Sequence, residues 1–233
     1  MARYYSVKVE PNIKSYFKSG NYSYSSPEVK ADNIRMIRNI DAKYGDMIQF
    51  WGDVFEIPKG VLVGFIATES GGTMAKPNRF KATGLMQVTP NAASTVKDWK
   101  KEVSTPLPPE AIAEINKKLP SLLTGNFSEA KLLQLLQNDA NFNIMMGTLI
   151  LRWNIERFSS LITGGQLNKA MVAYNAGAYT KALVVGKSTA NKIPIDSTSL
   201  SRNPKVPAES RAYLVKMLGI DGFLNLIYKD KVI

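Results

Sequence analysis

The stretch Val61-Leu62-Val63-Gly64-Phe65-Ile66-Ala67 carries no polar side chain on any side. Ile57-Pro58 opens it and Gly71-Gly72 closes it. A helix that is apolar all round must be buried on most of its surface, because it has no face to give to water. The rest of the chain must therefore supply elements to surround it. The helix runs out in Thr68-Glu69-Ser70, and glycine at position 71 suits the left-handed backbone that ends many helices. Glu69 thus falls where the helix macrodipole opposes a negative charge. A glutamate at a helix end is ordinarily a solvated residue. After a run this apolar it is expected to lose water instead. Desolvation raises a carboxyl pKa, so Glu69 can stay protonated and serve as a general acid.

The elements around this helix read as helices too. Ser26-Pro27-Glu28 is a helix start, with a cap, a proline at the first position and an acid behind it. Ile34, Ile37, Tyr44, Ile48 and Trp51 follow at helical spacing, with Gly45 as a possible break. Helix is expected from Asn91 to about Lys101, then a break at Thr105–Pro109, then a helical and loop insertion over 110–126. Ser128 caps a helix through Leu136. Phe142, Met145, Met146, Leu149 and Trp153 share one face of a longer helix. Gly164-Gly165 reads as a turn. Leu167, Ala170, Met171 and Tyr174 mark an amphipathic helix ending at Gly177, and 186–207 reads as a long loop. Helices from Pro207 and over about 221–228 complete the chain. Strand signals are sparse outside a weak alternation in residues 1–25.

Composition narrows the chemistry. The 233 residues include no cysteine and no histidine. Disulfides, thiolate sites, serine–histidine triads and the commonest metal ligand are thereby removed. Neither a metal nor a cofactor is expected. The net charge is +11, of which residues 1–56 carry +1 and the remainder +10. A basic surface of this kind suits an anionic partner. There is no dense basic run and no zinc-finger or RNA-recognition signature, and composition alone leaves nucleic acid and an anionic bacterial envelope both open. No apolar stretch is long enough to span a membrane. Residues 1–8 lack the apolar segment of a secretory signal, so delivery by another route is expected.

Five segments occur in order: Glu69-Ser70, Gly84-Leu85-Met86-Gln87, Asn143-Ile144-Met145-Met146-Gly147, Ala173-Tyr174-Asn175-Ala176-Gly177 and Glu209-Ser210-Arg211-Ala212-Tyr213. Singly, each has an ordinary structural role as a turn, a core residue or a helix end. Together, over roughly residues 44–228, they resemble the soluble lytic transglycosylase family, which has a goose-type lysozyme-like fold. The chain departs from that pattern at Gly72, where an aromatic is usual, and at Asn78 or Arg79, where a serine is frequent. It departs again at Thr89, where an apolar residue is usual and goose-type lysozymes tend to have an aspartate. The segment from about 98 to 130 is also longer than usual.

The resemblance implies a mainly α, lysozyme-like fold, with two helical lobes around a cleft. It divides the chain into an extension, residues 1–40, packed on a catalytic domain, residues 41–233. The implied substrate is the glycan strand of bacterial peptidoglycan, cleaved at the MurNAc-β-1,4-GlcNAc bond by a monomer with formation of 1,6-anhydroMurNAc, and the implied partner of the basic surface is the anionic cell envelope rather than nucleic acid. Glu69 would be catalytic. Ser70, Met86, Gln87, Thr89, Tyr174 and Asn175 would line the substrate, and Tyr213 would orient Glu69. A hydrolytic lysozyme and a non-catalytic, glycan-binding virion protein are the alternatives. A bacteriophage enzyme, released by a holin or carried in the particle, is the expected setting.

Overall fold

The computed structural model describes residues 27–103, 105–157, 166–177, 206–219 and 221–233. Helix α1 spans Pro27–Phe55, and α2 spans Lys59–Ser70. Two short helices, α3 (Pro90–Ala93) and α4 (Trp99–Glu102), flank a 3₁₀ segment at Ser94–Asp98. Then follow α5 (Pro109–Lys118), α6 (Glu129–Asn138), α7 (Ala140–Arg157), α8 (Gln166–Ala176), α9 (Ala208–Leu218) and α10 (Phe223–Tyr228). Among the described residues the only strand-like pairing is one bridge, Thr83 to Val88. The chain is mainly α, and among the described residues no helix is long and apolar enough to cross a membrane.

Helix α2 is buried from Gly60 to Ala67, as its composition requires. Helices α1, α9 and α10 pack against it. Its two glycines admit α10 closely. A Cβ on Gly60 would lie 2.7 Å from Ile227, and one on Gly64 would lie 2.7 Å from Leu224. The helix ends at Gly71, whose φ of 63° places it in the left-handed region and whose N–H donates to the Ala67 carbonyl.

Helix α1 runs unbroken through Gly45, contrary to the break that glycine suggested. Packing explains the residue: a Cβ there would lie 2.9 Å from Asp41 Oδ1 and 3.1 Å from Lys59 Nζ. Lys59 reaches across from α2 to pair with Asp41 at this point. Ile37, Ile40, Tyr44, Ile48, Trp51 and Phe55 form the buried face. Lys30 pairs with Asp230 at 2.9 Å and with Asp221 at 3.4 Å, joining the start of α1 to the C-terminal segment. Residues 1–26, with their expected alternation and the cap Ser26, lie outside the described residues, as do the Gly164-Gly165 turn and most of the 186–207 loop.

Two other expectations need correction. The helix expected over Asn91–Lys101 is three short pieces. The Ser94 hydroxyl donates to the Asn91 carbonyl and the Thr95 hydroxyl to the Ala92 carbonyl. Such hydroxyls compete with the backbone for helix acceptors. Helix α7 has no single apolar face. Ile144, Ile150 and Leu151 are as buried as the expected stripe, because α1, α6 and α8 all pack on it.

The turn after α2 is held by α7. Asn143 is fully buried; its Oδ1 accepts the Met86 N–H at 2.9 Å, and its Nδ2 donates to the Thr83 and Leu136 carbonyls at 2.9 Å each. One turn along α7, Gly147 leaves space for Met86. A Cβ there would lie 2.4 Å from the Met86 sulfur and 2.5 Å from its Cβ. Gly147→Ala should therefore force the turn away from α7. A loss of about 1–3 kcal/mol is expected for such overpacking, read as a lower urea midpoint with an unchanged slope.

Candidate active site

Glu69 occupies the last turn of α2, and one turn earlier Phe65 supports two tyrosine rings. Tyr174 from α8 meets Phe65 edge-on at 5.2 Å between centroids, and Tyr213 from α9 meets it at 6.0 Å. The Tyr174 hydroxyl donates to the Met86 carbonyl at 2.8 Å. Helix α2, the 83–88 turn, α8 and α9 thus converge on one carboxylate.

Glu69 is half-buried as a residue, but its Oε1 is shut off from solvent and accepts no hydrogen bond. Burial pushes its pKa from 4.5 up to about 7. The Tyr213 hydroxyl facing it opposes the rise, the charge of Glu209 adds to it, and Lys216 opposes it. Tyr213 and Glu69 face one another without closing a hydrogen bond of regular geometry. Burial, and then the Glu69 charge, push both Tyr174 and Tyr213 well above the usual tyrosine range, so each keeps its proton. A protonatable carboxyl close to two neutral phenols can give a proton to a bound oxygen and take one back.

Glu69 opens into a cleft of about 700 Å³. Six of the eight residues expected from the sequence line it: Glu69, Gln87, Thr89, Tyr174, Asn175 and Tyr213. Gln87 holds a φ of 47° and donates from Nε2 to the Gly84 carbonyl at 2.9 Å. Thr89 caps α3, its hydroxyl accepting the Ala92 N–H at 3.1 Å. Asn175 Oδ1 accepts from the buried Ser210 hydroxyl at 2.6 Å. Ser70 and Met86 do not line this cleft. The Ser70 hydroxyl donates to the Ile66 carbonyl and accepts the Gly72 N–H, finishing the helix end. The Met86 side chain is wholly buried, and its carbonyl holds Tyr174.

Sequence reasoning missed Glu209, Lys216, Asn78 and Phe80, which also line the cleft. Glu209, Tyr213 and Lys216 share one face of α9, and that helical spacing was a usable signal. Asn78 and Phe80 lie in a non-periodic loop that offered none. A second cavity, of about 790 Å³, shares Thr89, Tyr174, Asn175 and Ala176 with the first and is lined also by Trp153, Asn154 and Asp98. Asp98 pairs with Lys101 at 2.7 Å, which holds its carboxyl below the usual range. Among the described residues no group of three carboxylates is placed to hold a metal ion.

The electrostatics have a definite sign. The folded chain holds the Glu69 proton more tightly than the unfolded chain does. Between pH 4.5 and about 7 this group therefore costs stability as pH rises. Glu69→Gln should flatten the stability profile across that window and raise the melting temperature above it, as measured by thermal scans at stepped pH. Glu209→Gln removes a charge that raises the Glu69 pKa, so the alkaline limb of any Glu69-dependent activity should move to lower pH. Lys216→Met should move it to higher pH. Salt should shrink both shifts, since neither partner is fully buried.

The description "Transglycosylase SLT domain" belongs to the family model that matches residues 46–119. No curated protein matches the chain. The matched stretch carries Glu69 and the 83–88 turn and stops short of Asn143, Tyr174 and Tyr213. Over those residues the chain is similar to the lytic transglycosylase and lysozyme-like family, which supports an enzyme acting on peptidoglycan.

Proposed function

We propose that the chain is a peptidoglycan lytic transglycosylase cleaving the MurNAc-β-1,4-GlcNAc bond. The observation that carries this reading is a single carboxyl poised near neutrality at the end of a buried helix, facing an open polar cleft. Protonated Glu69 gives its proton to the glycosidic oxygen as the bond to C1 breaks. The acetamido carbonyl of the MurNAc ring supports the electron-poor C1, as in substrate-assisted glycosidases. Ionised Glu69 then takes the proton of the C6 hydroxyl, and O6 bonds to C1 to close a 1,6-anhydro ring. The proton count balances, with no water consumed and no second carboxylate required.

The remaining side chains suit the binding of a neutral, hydroxyl-rich strand. Asn175, its oxygen engaged by Ser210, has its amide N–H groups free to donate toward the cleft. Gln87 adds a polar contact without a competing charge, and the neutral phenols of Tyr174 and Tyr213 line the same cleft. The second cavity, which shares Thr89, Tyr174, Asn175 and Ala176 with the first, has room for further sugars of the strand. The basic remainder of the chain suits an anionic envelope.

Hydrolysis is the second reading, and one observation favours it. Glu209 lines the same cleft and its charge reaches Glu69. A second carboxylate so placed could activate water. Mass spectrometry of muropeptides released from purified cell walls separates the two. Anhydro ends are expected from the wild type and from Glu209→Gln alike; reducing ends that vanish in Glu209→Gln would favour hydrolysis. Glu69→Gln should remain folded and lose about 10²–10⁴-fold in rate, the range of a general acid–base group. A folded Glu69→Gln chain clearing walls at the wild-type rate would remove Glu69 from the mechanism.

A further inference from the structure

Four large apolar side chains are exposed among the described residues: Met47, Phe50, Phe80 and Ile233. Of these, Phe80 alone lines the cleft, and it is also the most exposed, at 66%. Its loop is tightly tied. Asn78 Oδ1 accepts the Phe80 N–H at 2.8 Å and the Ala82 N–H at 3.1 Å. The backbone closes the same turn, Asn78 N–H to the Ala82 carbonyl at 3.1 Å and Lys81 N–H to the Asn78 carbonyl at 2.8 Å. Lys81 adopts a φ of 62°, a conformation a lysine holds only where its surroundings impose it. Its ammonium pairs with Glu129 of α6, fixing the loop from outside. This turn keeps a phenyl ring in water at the rim of the cleft when folding would bury it.

The ring is also prepared on one side. The Arg79 guanidinium lies over it, 4.6 Å from the centroid. The π face is electron-rich, so a cation suits it. Phe80 remains 66% exposed beside this contact, which leaves ring surface for a ligand. A β-linked pyranose presents axial C–H bonds that are weakly positive and apolar, the complement of a π face. Asn78 or Arg79, beside Phe80 in this loop, stands where the resembling family frequently has a serine.

We propose that Phe80 is a platform stacking on a sugar ring of the bound glycan strand, held in place by the Asn78 turn, and so a determinant of strand affinity. The proposal rests on the peptidoglycan reading. Its test uses the full chain in a Glu69→Gln background, with soluble purified glycan strands and N-acetylglucosamine tetramer as probes and Kd measured by calorimetry. Phe80→Ala should weaken strand binding about two- to tenfold, the scale of an aromatic face contact. Phe80→Trp should restore it. In the active chain Phe80→Ala should raise KM and leave kcat unchanged, with the melting temperature unmoved because the side chain is exposed. Unchanged Kd in Phe80→Ala, or a failure of Phe80→Trp to restore binding, overturns the platform while leaving the function standing. Absence of binding by the Glu69→Gln background itself overturns the peptidoglycan reading and the platform with it.

Discussion

The site hangs from one buried amide. Asn143 satisfies three backbone groups that have no water to turn to: the Met86 N–H and the Thr83 and Leu136 carbonyls. A buried polar group left unpaired costs about 1–3 kcal/mol, so this side chain dictates where the turn sits. Once the turn is fixed, the Met86 carbonyl holds Tyr174. Tyr174 packs on Phe65, Phe65 on Tyr213, and both phenols feel the charge of the carboxyl that ends α2. Asparagine suits position 143 because one amide supplies donors and an acceptor in a single plane. Glycine suits 84 and 147 because a Cβ at either would strike the atoms this arrangement brings together.

The absence of histidine makes the position of Glu69 more than a detail. Acid–base chemistry near neutrality needs a group that titrates there. A solvated carboxylate does not, and this chain has no imidazole. Burial at the end of an apolar helix supplies the shift, and the same burial makes the charged form costly. Tyr213, Glu209 and Lys216 then adjust the balance in opposing directions. The carboxyl is held at a compromise between them.

Much of this was legible in the sequence. The all-apolar run fixed α2 as a buried helix, and Gly71 fixed its end. The resemblance carried by five short segments pointed to Glu69, Gln87, Thr89, Tyr174, Asn175 and Tyr213, which line one cleft. What was not legible depended on three-dimensional neighbours. Gly45 reads as a breaker until Lys59 is seen crossing it. The 91–101 stretch reads as one helix until the Ser94 and Thr95 hydroxyls take backbone acceptors. Ser70 and Met86 belong to the same short segments as the cleft residues, but their polar atoms and side chain are spent on the scaffold. Phe80 has no periodic signal, because what matters about it is a burial it lacks.

The departure at Gly72 has a physical logic. Where the resembling family usually carries an aromatic, this chain has Gly72, with a φ of 81°. A Cβ there would lie 2.6 Å from Ile40 Cγ1. Ile40, on α1 and wholly buried, takes up the space an aromatic side chain at position 72 would need. Helix α1 reaches that point by running unbroken from Pro27, through residues that lie outside the resemblance. The loss of an aromatic beside Glu69 and the presence of this helix are thus two sides of one packing solution. A few residues further on, the chain sets an aromatic ring at the cleft rim on a turn of its own. The buried frame that shapes the carboxyl and the exposed ring at the cleft rim are thus set by separate contacts, the one by Asn143 and the other by Asn78.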